Sequence, residues 1–340
     1  MPKLALSLLP LLLLMPVPAL SQDADVQEAW TTSDGSLRAQ AAGISLPQTV
    51  AGLSLSKSGE VTNGGKGIDN YAQYLSGDGA IQATLYVYLP SYADASIAAY
   101  MTDRAVTDRF GSKTRRTAYE KVALNGKASR AIRAVYDDAA DGALTTAAAF
   151  AQSGRWLVKL RVTGPSERRK DVLAGLDGML NGLQFDNAAA VQPVSPARFA
   201  QCPTADDRDA MLTASSPGMA ADAEPAREAD APFCIRGRVQ TSEGSYDVLE
   251  QRGEAGGSVI VPMDDAGTVL AFDPARGGRG YQLSIHSVGE TKLYGVYDRV
   301  PSSRQIAQIL DGKDPQTAEA RATAAYAANG EVIVRRGTSN

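Results

Sequence analysis

The sequence predicts an α+β protein, with an antiparallel sheet covered by two helices and then a second β-rich domain with C-terminal helices. Three observations lead there. The stretch Ala80–Pro90 reads as a central strand, because Ile81, Thr84, Tyr86, Val87 and Tyr88 suit a pleated surface and Pro90 cannot donate to a ladder. Strand-like runs and glycine turns flank it, with helix-like runs after Pro90 and after Pro165, an order that lays helices on a sheet. The chain has 340 residues, more than one core usually holds, so two domains are expected.

The first 21 residues have the pattern of a secretory signal peptide. Lys3 precedes an apolar run from Leu4 to Met15, Pro16-Val-Pro18 breaks any helix, and Ala19-Leu20-Ser21 offers the small residues of a cleavage site before Gln22. The apolar run spans 12 residues, short of the ~20 needed to cross a bilayer. No cysteine stands near the cleavage point, so lipid attachment is not expected, and the mature chain is assigned to the periplasm or the exterior. Removing the leader takes away Lys3 and no acid, moving the net charge from −4 to −5. That balance offers neither an electrostatic footprint for nucleic acid nor a polybasic membrane patch.

Residues 22–45 are polar and weakly periodic and read as a flexible mature N-terminus. The first domain is placed at 46–186. Leu53–Lys57 and Ile68–Ser76 alternate as strands, with Asn63–Gly67 and Gly77-Asp-Gly79 as turns. A helix over Tyr92–Phe110 is expected to bury one stripe, Ile97, Met101, Ala105 and Phe110, and Gly111 stops it. Four strands follow, at Arg116–Ala123, Ala128–Tyr136, Leu144–Gln152 and Trp156–Thr163. The last alternates most clearly: Trp156, Val158, Leu160 and Val162 face one way, Leu157, Lys159 and Arg161 the other. A helix from Pro165 to Asn181 closes the unit on Val172, Leu176, Leu180 and Leu183.

Leu46-Pro47 followed by Ala51-Gly-Leu53, the strand Ala83–Leu89, the helix after Pro90, and the closing helix before Leu183-Gln-Phe185 resemble the PsbP/Mog1-like fold, a family of small exported or accessory proteins. The resemblance covers residues 46–186, implies a binding or accessory role, and transfers no functional residue.

Residues 187–200 are a linker by composition, and 201–340 form the second domain. It opens with a short helix from Thr204 to Leu212 and an Ala/Asp/Glu/Pro-rich loop at Ser215–Pro232. Six short strands between Ile235 and Tyr297 suit a small barrel or sandwich. Ser302-Ser-Arg-Gln305 is a capping box, a second helix is expected from Asp314 to Asn329, and Val332–Val334 is a last strand.

Cys202 and Cys234 are the only cysteines, and in an oxidising compartment they are expected to form a disulfide. With one histidine besides, no metal site is expected, and no cofactor motif is present. His286 shares a strand face with Gln282 and Ser284. A hydrogen-bonded or exposed strand residue is the simpler reading, and a general base beside a serine the sharper one. Gly64–Gly67 and Gly277–Gly280 lack the spacing of phosphate loops and read as turns. Asp137-Asp138 and Asp264-Asp265 read as turn and strand-end chemistry, and Glu167–Lys170 as a solvated helix start. Tyr71, Tyr74, Tyr86 and Tyr88 line one region of the core. No catalytic residue is assigned. The expected function is therefore a non-catalytic periplasmic accessory or binding protein, contacting an envelope protein or a small ligand. Its alternatives are a hydrolase using His286 and a small-ligand carrier.

Overall fold

The computed structural model describes residues 28–61, 66–203, 207–213, 232–252, 257–275, 280–314 and 317–337. The leader, most of both glycine-rich turns, and residues 215–231 of the expected acidic loop lie outside the described residues.

Strands begin earlier than the composition suggests. β1 (Trp30–Ser33), β2 (Ser36–Ala39) and β3 (Ile44–Pro47) form an antiparallel meander where a flexible segment is expected. The turn between β1 and β2 has positive φ at Asp34 (49°) and Gly35 (73°), the pair that a two-residue hairpin requires. Leu37, Ala39, Ile44 and Leu46 point inward and are buried, which pins the segment to the domain core.

The main sheet has eight antiparallel strands: β4 (Thr49–Val50), β5 (Leu53–Glu60), β6 (Asp69–Ser76), β7 (Gln82–Tyr88), β8 (Arg115–Leu124), β9 (Lys127–Ala139), β10 (Leu144–Ser153) and β11 (Trp156–Pro165). Its order is β4-β5-β6-β7-β11-β10-β9-β8, so two meanders meet at the β7–β11 pair. The Ala80–Pro90 strand is thus central, as the sequence suggests. One face presents Leu85, Val87, Val158, Leu160 and Val162 to α2 (Arg169–Gly182), whose Val172, Leu176, Met179 and Leu180 are buried against it. β12 (Gln184–Phe185) then pairs with β3 and completes a four-stranded side sheet. The connecting segment 187–200 lies on this domain: Val191 and Val194 are buried, and the Val194 N–H donates to the Ser129 carbonyl at 3.1 Å.

The second domain continues with β13 (Phe233–Gln240), β14 (Ser245–Gln251), β15 (Val259–Pro262), β16 (Val269–Pro274), β17 (Tyr281–Ser287), β18 (Glu290–Tyr297), β19 (Ala322–Tyr326) and β20 (Val332–Arg336). They make one up-and-down antiparallel sheet in chain order. Among the described residues no pairing closes β13 onto β20, so the sheet is open and not the expected barrel or sandwich. Its inner face holds Val248, Val261, Phe272 and Leu283 beneath α3 (Ser303–Leu310). The Ser302/Gln305 capping box forms as the sequence indicates.

Two expected helices are absent from the described residues. Residues 207–213 are extended, with Leu212 bridged to Tyr297. The alanine-rich stretch expected as a last helix contains β19. The free edge of β18 accepts it, and Ala322, Ala324 and Tyr326 alternate inward, so tertiary pairing overrides alanine's helix propensity.

α1 (Ala95–Phe110) starts three residues later than expected, because the Asp94 carboxylate caps it by accepting from the Ser96 and Ile97 N–H groups at 2.8 and 3.1 Å. It buries two faces where one stripe is expected. Ala95, Ala98, Ala99 and Val106 lie on the main sheet, against Ile132, Ala134, Ala148 and Phe150. Ile97 and Met101 pack outward on Leu249, Ile260, Val269 and Ala271 of the second domain. Ala105 is exposed. The helix is therefore the shared middle layer between the two sheets.

Candidate functional site

The face of the main sheet under α1 follows from β11 and its neighbours. Leu157, Lys159, Arg161 and Thr163 stand on one side of that strand, opposite Tyr88, Tyr86, Thr84 and Gln82 of β7. The second domain covers the Leu157 end and leaves the Thr163 end uncovered. Tyr71, paired with Tyr86, shares this face, whereas Tyr74 is paired with Ala83 in the opposite core, so the four tyrosines are not one group.

At the covered end the β15–β16 turn reaches in between α1 and the sheet. Lys159 is only 8% exposed; its ammonium donates to the Asp265 carboxylate and sits 5.6 Å from the Tyr86 ring and 5.9 Å from the Phe150 ring. Thr102 of α1 donates to the same carboxylate at 2.9 Å, and the Tyr88 hydroxyl donates to the Asp265 carbonyl at 3.0 Å. Burial alone would raise the Asp265 carboxyl. The Lys159 charge and its hydrogen bond, followed by Thr102, outweigh burial and hold it below the usual carboxylate range. Gly267 closes this turn with φ of 94°, and a Cβ there would stand 2.7 Å from Pro90 Cβ, so a glycine is needed on both counts. Asp264 does have the turn role read from the sequence, accepting from the Ala266 and Thr268 N–H groups at 2.9 Å each.

His286 lies in the same joint. The chain after β7 runs on against the β17–β18 turn, with Pro90 bridged to Val288 and the Ser91 N–H donating to the Ser287 carbonyl at 2.9 Å. The Ser91 hydroxyl donates to the Glu290 carbonyl at 2.8 Å, so towards His286 Nδ1, 3.2 Å away, it accepts. That assigns the proton to Nδ1 and makes Nε2 the acceptor for Ser284 Oγ at 2.9 Å. Thr291 Oγ1 stands 3.1 Å from Nδ1 and links on to Tyr326 at 3.2 Å. A serine donating to an imidazole is the arrangement of an activated nucleophile. Here Ser284 and His286 are each 1% exposed, and no substrate carbonyl reaches them unless the domains part.

The uncovered end is a groove of about 430 Å³. Arg161, Thr163, Thr84 and Gln82 form its floor, and the end of α1 supplies Arg109 and Phe110 as a wall. The two guanidinium carbons lie 5.5 Å (Arg109) and 5.3 Å (Arg161) from the Phe110 ring centre, and hence within about 11 Å of each other. Burial first, and the Arg109 charge second, lower the Arg161 pKa.

The remaining candidate residues serve structure. Cys202 and Cys234 are joined by a disulfide that fastens residues 200–202 to β13, where the Cys202 N–H donates to the Ile235 carbonyl at 2.8 Å. Phe199 beside it stacks edge-on against Tyr100 of α1 at 4.8 Å between ring centres. Asp137 accepts from Arg169 at 2.9 Å, and Asp138 accepts from Arg115 at 2.6 Å. Arg168 donates to Asp78 at 2.5 Å and to Asp171 at 3.0 Å, so the chain's own acids neutralise the start of α2. Arg161, Arg109 and the Lys159–Asp265 pair were not singled out as sites from the sequence. The only signal was two cations midway along an otherwise apolar strand.

No family model matches the chain, and no curated protein matches it. Among solved structures, it is similar to cyanobacterial PsbP (CyanoP) from Synechocystis sp. PCC 6803, at 13% identity and a TM-score of 0.33, over 45% of this chain and 95% of that one. At this score the likeness transfers no residue and no activity. Among the described residues no helix is long and apolar enough to cross a membrane.

Proposed function

We propose that the chain is an exported, non-catalytic binding or accessory protein of the cell envelope. The observation that carries this reading is the placement of His286. The chain's only histidine, the one residue suited to proton transfer near neutral pH without a shifted pKa, is spent on a closed hydrogen-bond network between the domains. The leader-like first 21 residues and the Cys202–Cys234 disulfide support export, since disulfides persist in oxidising compartments. The shared packing supports binding over catalysis by domain closure, because α1 is buried against both sheets.

The test is a side-by-side assay of the wild type and His286→Ala against ester, amide, phosphoester and glycoside reporters. Background rates are expected in both proteins, together with a lower unfolding midpoint in the variant, which strands the Ser284 hydroxyl in a buried site. A wild-type rate above background that disappears in His286→Ala would overturn the non-catalytic reading in favour of the hydrolase.

A further inference from the structure

Several cations on or beside the main sheet hold an acid. Arg133 bonds Glu120 and Asp177 at 2.7 and 2.9 Å, Lys159 bonds Asp265, and Arg169 beside the sheet edge bonds Asp137 at 2.9 Å. Arg161 and Arg109 hold none. Among the described residues no hydrogen bond or ion pair engages either guanidinium, and each lies over the Phe110 ring. Yet the chain has acids to spare, with 38 acidic against 34 basic residues. Asp265, the acid whose field reaches Arg161, is committed to Lys159.

Two like charges brought together over a half-buried strand repel each other, and Arg161 loses water besides. An anion seated between them reverses both costs, and a guanidinium suits an oxyanion because its planar fork donates two parallel hydrogen bonds. The groove's volume of about 430 Å³ is that of a small-molecule site. Its floor adds the Thr84 and Thr163 hydroxyls and the Gln82 amide, which suit a polar ligand.

We propose that this groove binds a small, polar, oxyanion-bearing ligand, a carboxylate or a phosphate, between the Arg161 and Arg109 guanidiniums. The proposal deepens the binding-protein reading by giving it a site and a ligand class. It assigns Phe110 the task of holding both guanidiniums in place by stacking.

The mature chain is titrated calorimetrically at low ionic strength with inorganic phosphate, with succinate, and with chloride at matched ionic strength. Saturable binding of phosphate or succinate is expected, with none for chloride, and the oxyanion that binds tells the two sources apart. Arg161→Gln and Arg109→Gln are each expected to weaken binding about tenfold or more, since each removes one charge-assisted donor pair. Neither substitution breaks an ion pair among the described residues, so both variants are expected to keep the wild-type far-UV spectrum and to fold. Silence of both oxyanions up to about 10 mM, past the range of millimolar affinity, would overturn the proposal. So would binding that is unchanged in both variants. Either failure leaves the envelope-partner reading intact, whereas turnover of the bound anion would keep the groove and overturn the non-catalytic reading.

Discussion

Asp265→Ala is expected to lower the unfolding free energy by about 3–5 kcal/mol, the cost of leaving a buried charge without its partner. The Lys159 ammonium would remain under α1 with only two aromatic rings beside it. The effect should reach both domains, because Asp265 belongs to the second and Lys159 to the first, with Thr102 of α1 between them. In guanidinium titrations, the wild type is expected to unfold in one transition and the variant in two, as the joint fails before the sheets. Lys159→Met combined with Asp265→Leu is expected to recover most of the loss, since apolar replacements of a buried pair are often neutral or better. A single-variant loss below about 1 kcal/mol would mean that the pair behaves as a surface ion pair.

The same carboxylate sets an acid limit. Its pKa in the folded protein lies below the ordinary value, so it stabilises the fold above the unfolded value of about 3.9. That contribution is lost as pH falls through the lower folded value. Asp265→Ala should show a shallower loss of stability across that acid window than the wild type.

Replacing Cys202 and Cys234 by serine is expected to cost about 3–4 kcal/mol in the chain-entropy account, for cysteines 32 residues apart. The loss should also loosen the joint, because the disulfide holds residues 200–202 on β13 and so keeps Phe199 against Tyr100. Denaturation of the oxidised wild type, the reduced wild type and the double variant measures this directly. Equal midpoints for all three would show that backbone pairing alone fixes the segment.

The sequence made the central strand β7, the α3 cap and the cysteine pair legible because each rests on neighbouring residues or on simple counting. What it hid is long-range. Lys159 and Asp265 are 106 residues apart, and nothing near Lys159 marks it as paired. α1 looked like a helix with one apolar stripe because alanine is silent about burial; Ala98 and Ala99 pack on the sheet as fully as Ile97 and Met101 do on the second domain. β2 and β3 do alternate, at Leu37 and Ala39 and again at Ile44 and Leu46, but four residues are too few for a period to stand out. The groove joins the last residues of α1 to a strand some 50 positions later. Only the fold brings Arg109 to Arg161.

Crosslinking in intact cells, followed by affinity purification of the chain from the periplasmic fraction, tests the central claim most directly. The account predicts a chain beginning at Gln22 that carries one stoichiometric envelope partner or one bound small anion. A chain retained in the cytoplasm, or one that emerges with neither across several crosslinkers, would contradict it.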